Sequence, residues 1–296
     1  LNILLTGGTG FIGSRFVKRL VAEGHHVYVL TRFPKQHQDT EYVSYISYNY
    51  SMNRLPFIHA VVNLAGESLF GYWSEKKKAD VVSSRIQTTE KLIAIMMHME
   101  TKPEVFISGS AIGYYGVSND KIFTEATKEA SDDFLATVTS QWENVAHTAE
   151  DFGIRTVYAR FGVVLDENEG ALPQMARPIK LFAGGKIGSG EQWISWIHID
   201  DCVEMLLFAL QEKAIKGPLN VTAPYPRRNA DFTKVLGQTL HRPTFLSAPT
   251  AMLKIMLGEM HQLITEGQYV YPKKAEENHF TFTYPHLEEA LQQIYQ

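Results

Sequence analysis

The sequence predicts an α/β protein: a doubly wound, mainly parallel sheet followed by a smaller, mostly helical C-terminal lobe. Through the first half of the chain, short apolar runs alternate with segments whose apolar residues recur at helical spacing. A glycine-rich turn at Gly7, Gly10 and Gly13 joins the first strand to the first helix. Beyond about residue 165 the alternation gives way to loops punctuated by glycine and proline and then to further helices.

Leu1 to Leu5 reads as the first strand. Phe11 to Glu23 is the helix after it, with Phe16, Val17, Leu20 and Val21 apolar and Gly24 closing it. His26 to Leu30, Ala60 to Leu64 and Val105 to Ser108 are further short apolar strands. Between the last two, Ser74 to Met99 is helical, because Val81, Ile86, Leu92, Ile93 and Met96 recur on a helical period. Phe134 to Phe152 is another helix and leads to the strand Arg155 to Tyr158. Pro173, Pro178, Gly184, Gly185, Gly188 and Gly190 then mark a loop-rich region, before Leu219-Asn220-Val221 returns as a strand. Asp231 to Leu240, Ala251 to Leu263 and Leu287 to Gln296 read as helices. The expected division is a nucleotide-binding domain over residues 1–165, with returning strands from 190–223, and a substrate-side lobe over 166–296, with a cleft between them.

Composition narrows the partners. A chain of 296 residues can bury a substantial core, and its net charge of -4 offers no basic field for nucleic acid. Lys76-Lys77-Lys78 reads as a solvated helix face. Cys202 is the single cysteine and sits before an apolar run, so it reads as a packed side chain and excludes an internal disulfide. The histidines, His25-His26 included, lack a compact ligand pattern, so no metal is expected. Asp201 is placed to cap a helix beginning at Cys202. No run is long enough to cross a bilayer, and a reducing cytoplasm is the expected compartment, with the chain a monomer or homodimer.

The opening turn carries the first chemical reading. Glycines at 7, 10 and 13 permit the tight turn and let the backbone approach a pyrophosphate, whose charge meets the unsatisfied N–H groups of the following helix. Gly7, Thr9, Gly10, Phe11, Ile12 and Gly13 are therefore the candidate contacts of a Rossmann-type dinucleotide site. At the end of the second strand the chain has Arg32, where an NAD site carries an acidic residue for the ribose hydroxyls. A guanidinium there can clamp a ribose 2′-phosphate, which favours NADP(H) while leaving NAD(H) open. Leu64, Ala65 and Gly66 follow the strand beginning at Ala60, and their small size lets the chain run close under a cofactor ribose.

Ser108-Gly109-Ser110-Ala111-Ile112-Gly113-Tyr114-Tyr115-Gly116 resembles the extended short-chain dehydrogenase/reductases, the NAD-dependent epimerase/dehydratase family. The resemblance covers most of the chain through GGTGFIG, NLAGE, SGSAIGYYG, RFGVVL and GSGEQWISWIHIDD. With PYPRRN, LGQTLHRP, GEMHQL and EGQYVYPKKA it is similar to the sugar-nucleotide-epimerase-like subfamily, which has its own C-terminal domain. By that resemblance Ser110 matches the serine that hydrogen-bonds the substrate carbonyl or alcohol. The family also implies a Tyr-x-x-x-Lys pair on the next helix, in which lysine lowers the tyrosine pKa for proton transfer. Alignment on Trp142-Glu143 puts Leu135 and Thr139 at those two positions, and neither can do that work. Tyr114 and Tyr115 are the candidate replacements, with Glu67, Glu143 and His198 as other polar groups near the site.

On the substrate side, Arg85, Lys186, Gln192, Trp193 and Arg228 are the candidate contacts, the two tryptophans Trp193 and Trp196 offering ring faces to a sugar or closing the lobe interface instead. The reading is an NADP-binding oxidoreductase or epimerase acting on a small hydroxylated substrate, with a sugar nucleotide the candidate class. The absent tyrosine-lysine pair supports an alternative, an NADP(H)-binding regulatory or sensor protein with little or no turnover.

Overall fold

A computed structural model describes all 296 residues. Seven strands form one sheet: Asn2–Thr6 (β1), His26–Leu30 (β2), Val43–Ile46 (β3), Ala60–Asn63 (β4), Val105–Ala111 (β5), Arg155–Phe161 (β6) and Gly217–Val221 (β7). Every pairing is parallel, and the order across the sheet is β7-β6-β5-β4-β1-β2-β3. Chain direction across the sheet reverses beside β1 and β4, which opens a crevice at their C-terminal ends.

A parallel sheet buried on both faces needs apolar side chains on both, and the strands supply them: Ile3, Leu4 and Leu5 are all fully buried. Alternate residues divide between two cores. Ile3, Leu5, Val62 and Ile107 pack with Phe11–Ala22 (α1), whereas Leu4, Val61 and Phe106 pack with Glu75–His98 (α2) and Phe134–His147 (α3). Leu172–Lys180 (α4) follows, and Ile199–Gln211 (α5) joins α1 on the first face through Met205 and Leu206. Asn229–Thr239 (α6), Thr250–Leu257 (α7) and Leu287–Tyr295 (α8) complete the C-terminal region. A third core there unites Leu172, Trp196, Phe232, Leu236, Leu287 and Leu291. No helix is long and apolar enough to cross a membrane.

Several elements depart from the sequence expectation. β3 was not anticipated, because only Val43 and Ile46 of its four residues are buried. α4 lies in the region read as loop; Pro173 sits in its first turn, where proline's missing N–H costs nothing, and Pro178 stands near its end. Phe134 to Phe152 is α-helical only to His147 and then tightens into a 3-10 turn ended by Gly153 at φ 75°. The helix expected over Ala251 to Leu263 breaks at Gly258, whose φ is 58°. Asp201 does not cap α5. The helix begins at Ile199, and the His198 ring accepts the Asp200 N–H at 3.1 Å as its cap. Asp201, fully buried, instead accepts the N–H groups of Thr283 and Tyr284, both at 2.8 Å, and holds the C-terminal segment to α5.

Candidate functional site

The glycine turn is shaped by close contacts that only glycine tolerates. Gly7 has φ 75°, and a Cβ there would lie 2.5 Å from the Leu64 carbonyl carbon and 2.7 Å from the Ala65 nitrogen. A Cβ on Gly13 would lie 2.1 Å from the Gly7 oxygen. The two turns read separately in the sequence, 7–13 and 64–66, therefore touch. No side chain caps α1, so its first-turn N–H groups are left for an anion. Thr9 and Gly10 are exposed at the turn, Ile12 is half-buried, and the Phe11 ring packs against Gly170. These features fit a dinucleotide pyrophosphate. Arg15 is occupied by an ion pair with Asp166 at 2.9 Å. Arg32 is exposed at the end of β2, its guanidinium 5.7 Å from the Phe33 ring centroid, and it makes no hydrogen bond or ion pair.

A polar row crosses the sheet at the strand ends. Register places Ser110, Arg160 and Asn220 side by side on β5, β6 and β7. The Ser110 hydroxyl donates to Glu143 Oε1 at 2.6 Å, and Arg160 Nε and Nη2 donate to the two oxygens of the same carboxylate, each at 2.7 Å. Ser110 and Arg160 are each 2% exposed. Burial is the largest single influence on the Arg160 charge and works against it, but the hydrogen bonds to Glu143, together with the electrostatic attraction of Glu143 and Tyr115, more than offset it and raise the guanidinium pKa. That guanidinium also stacks on Tyr114, 3.5 Å from the ring centroid, and stands 4.9 Å from that of Tyr115.

Both candidate tyrosines have engaged hydroxyls. Tyr115 is buried and donates to Asn220 Oδ1 at 2.7 Å, and burial pushes its phenol up to about 12. Tyr114 donates to the Lys128 carbonyl at 2.7 Å. At the two substituted helix positions, Leu135 packs where a Cβ on Gly113 would be 3.2 Å away, and Thr139 turns its hydroxyl back to the Leu135 carbonyl at 2.9 Å.

Nearer the cofactor turn, Thr6 donates to Asn63 Oδ1 at 2.7 Å, Asn63 donates to Thr89 at 2.9 Å, and Trp142 donates to the same hydroxyl at 3.0 Å. Arg85 lies under Gly66, 5.2 Å from the Trp142 ring centroid, and donates to the carbonyls of Glu67 and Val81, each at 3.0 Å. Burial lowers its pKa to about 10.

The substrate-side candidates are largely spent on the fold. Gln192 is 5% exposed, and its amide donates to the carbonyls of Ile187 and Ile264, so it ties loops together rather than facing a cleft. Trp193 donates to the Asn119 carbonyl at 2.9 Å, Arg228 stacks 3.9 Å from its ring centroid, and Arg228 also donates to the carbonyls of Glu191 and Asn119. Lys186 alone of the five is exposed with neither an ion pair nor a side-chain hydrogen bond. Sequence reasoning missed Arg160 and Asn220. A charge inside the buried strand Arg155–Phe161 was the available signal, because it demands a counter-charge close by.

The parallel sheet and the glycine turn at the end of β1 together define a Rossmann-type fold. Residues 3–222 match the NAD dependent epimerase/dehydratase family, to which the chain belongs, and residues 248–294 match a domain of unknown function (DUF1731). The epimerase family protein YfhF of Bacillus subtilis (strain 168) is 44% identical over 99% of this chain and 98% of its own. The crystal structure of human epimerase family protein SDR39U1 (isoform 2) with NADPH superposes with TM-score 0.91 at 32% identity, covering 100% of this chain and 99% of that one. A nucleoside-diphosphate sugar epimerase from Corynebacterium glutamicum superposes with TM-score 0.80 at 31% identity, over 100% of this chain and 58% of its own.

Proposed function

We propose that the protein is an NADP(H)-dependent oxidoreductase or epimerase acting at a carbon–oxygen centre of a small hydroxylated substrate. The observation that carries this is the Gly7–Gly13 cradle closed against Leu64-Ala65, with the unpaired Arg32 at the end of the neighbouring strand. NADPH in the human relative supports the same choice. Bound there, the nicotinamide supplies hydride chemistry; the chain supplies orientation and hydrogen bonds. Because the Ser110 proton is directed to Glu143, the Ser110 oxygen is the end that remains for substrate, and it accepts from a substrate hydroxyl.

The regulatory reading rests on one observation of its own: Leu135 and Thr139 offer no titrating pair, and the Tyr114 and Tyr115 hydroxyls are both engaged internally. Fluorescence titration with NADPH and NADH, followed by turnover measurements on carbonyl compounds and sugar nucleotides, separates the two. Tighter NADPH binding with substrate-dependent oxidation of the bound cofactor is expected. Stoichiometric binding without turnover across the panel selects the regulatory reading, and failure to bind either dinucleotide overturns both.

A further inference from the structure

Arg85 stands beside the cofactor turn without a counter-charge of its own. A Cβ on Gly66 would lie 3.2 Å from its Cζ, 3.3 Å from Nη2 and 3.5 Å from Nε, so the guanidinium rests on the same turn that touches Gly7 of the cradle. Only Nη1 is engaged, donating to the carbonyls of Glu67 and Val81. Nε and Nη2 have no partner, and both stay open to solvent although the residue is half-buried. The one carboxylate that acts on this cation, Glu67, is paired with Lys77 at 2.8 Å, and burial outweighs its attraction and lowers the guanidinium pKa. Arg160 shows the structural alternative, a buried guanidinium answered by a carboxylate through two of its nitrogens. Arg85 has no such answer within the chain. Two directed donors left free on a half-buried cation suit the oxygens of a ligand.

Position along the crevice says which oxygens. Arg32 follows β2, on one side of β1, whereas β4 and β5 lie on the other. A dinucleotide whose 2′-phosphate meets Arg32 and whose pyrophosphate fills the Gly7–Gly13 turn must carry its nicotinamide half past Leu64-Ala65-Gly66 to reach Ser110 on β5. Arg85 stands on that path. Its guanidinium is 5.2 Å from the Trp142 ring centroid, and Trp142 packs against Gly109, where a Cβ would be 2.9 Å from Cη2, one residue before Ser110. We infer that Arg85 is a cofactor-binding residue rather than a substrate contact, its Nε and Nη2 donating to sugar-phosphate oxygens in the nicotinamide half of NADP(H). This rests on the dinucleotide reading of the cradle.

The test divides the cofactor into parts. Wild-type protein and Arg85→Gln are titrated by calorimetry with 2′,5′-ADP, which carries the adenosine end alone, with adenosine 2′-phosphate 5′-diphosphate, which adds the second phosphate, and with NADPH. Arg85→Gln should weaken NADPH about tenfold or more, the loss of a charge-assisted contact, while 2′,5′-ADP stays within about twofold. NADH should lose the same factor as NADPH, unlike the response to a change at Arg32. A loss already present with the diphosphate assigns the contact to that phosphate, and a loss confined to the whole dinucleotide assigns it to the second ribose. Arg85→Met, which keeps an apolar side chain of similar length against Gly66, should repeat the pattern, and intact 2′,5′-ADP binding shows that either variant has folded. Unchanged NADPH affinity in both variants overturns the inference. So does an equal loss for 2′,5′-ADP, because Arg85 would then support the turn as a whole. Wild-type protein that binds neither NADPH nor NADH brings down the dinucleotide reading itself, whereas binding that ignores Arg85 removes this inference alone.

Discussion

Arg160 places a charge inside a strand buried on both faces, where an unpaired guanidinium is untenable. Glu143 answers it with two hydrogen bonds, and Ser110 completes the carboxylate's shell. The partners are unequal. Glu143→Gln would strand a buried cation, at a cost of about 3–5 kcal/mol. Ser110→Ala would remove a single bond to a charged acceptor, at about 1.5–3 kcal/mol. Urea denaturation of the two variants should rank them in that order, and equal losses would mean that something other than Glu143 holds Arg160. Arg32 presents the opposite case, an arginine whose only neighbour of note is the Phe33 ring. Arg32→Asp should weaken NADPH about tenfold or more, the loss of a charge-assisted contact with repulsion added, while NADH changes by about twofold or less. Equal changes in the two dissociation constants would refute phosphate recognition by this residue.

At the scale of elements, the ends of α5 show how a cap couples to pH. The Asp200 N–H can only donate, so His198 Nδ1 accepts; Gln293 Oε1, 2.7 Å from Nε2, can only accept, so Nε2 carries the proton. That pattern needs the neutral ring. Burial lowers the His198 pKa, and the nearby Asp200 carboxylate only partly offsets it. A folded pKa below the unfolded value, about 6.5, means that the unfolded chain takes up the proton first. The contribution is therefore complete above that value and is lost as pH falls through the folded pKa. Thermal melts should show the midpoint falling between pH 7.5 and 5.5, and falling less in His198→Gln; parallel curves would remove His198 from the account. Elements with a local cause were legible in the sequence. α2 is one, with its recurrent apolar residues and Ser74, whose side chain accepts the Lys77 N–H as a cap. β3 was not, because an edge strand with two buried residues leaves no pattern, and α4 was hidden by the two prolines it accommodates.

Across the whole molecule, the same distinction separates the cofactor cradle from the polar row. The need for glycine at Gly7 and Gly13 is set within a few residues, so the sequence displays it. Ser110, Arg160 and Asn220 meet only through strand register, and no stretch of sequence announces that neighbourhood. Asn220, at the far end of the row, is where the sheet and the C-terminal region are fastened. Its Oδ1 accepts the Tyr115 hydroxyl, its Nδ2 donates to the Tyr271 carbonyl at 3.0 Å, and its own N–H donates to Glu125, whose other oxygen accepts the Lys274 N–H. Asn220→Ala would leave a buried hydroxyl and a carbonyl unsatisfied, each costing about 1–3 kcal/mol. For a chain of this size that corresponds to a melting point lower by about 3–10 °C. Calorimetry should show this drop with NADPH affinity changed by about twofold or less, because the cradle is built on β1, α1 and β4, away from β7. An unchanged melting point would mean that Asn220 does not fasten the two regions. A comparable loss of NADPH affinity would mean instead that the polar row supports the cradle as well, and that the two halves of the crevice stand or fall together.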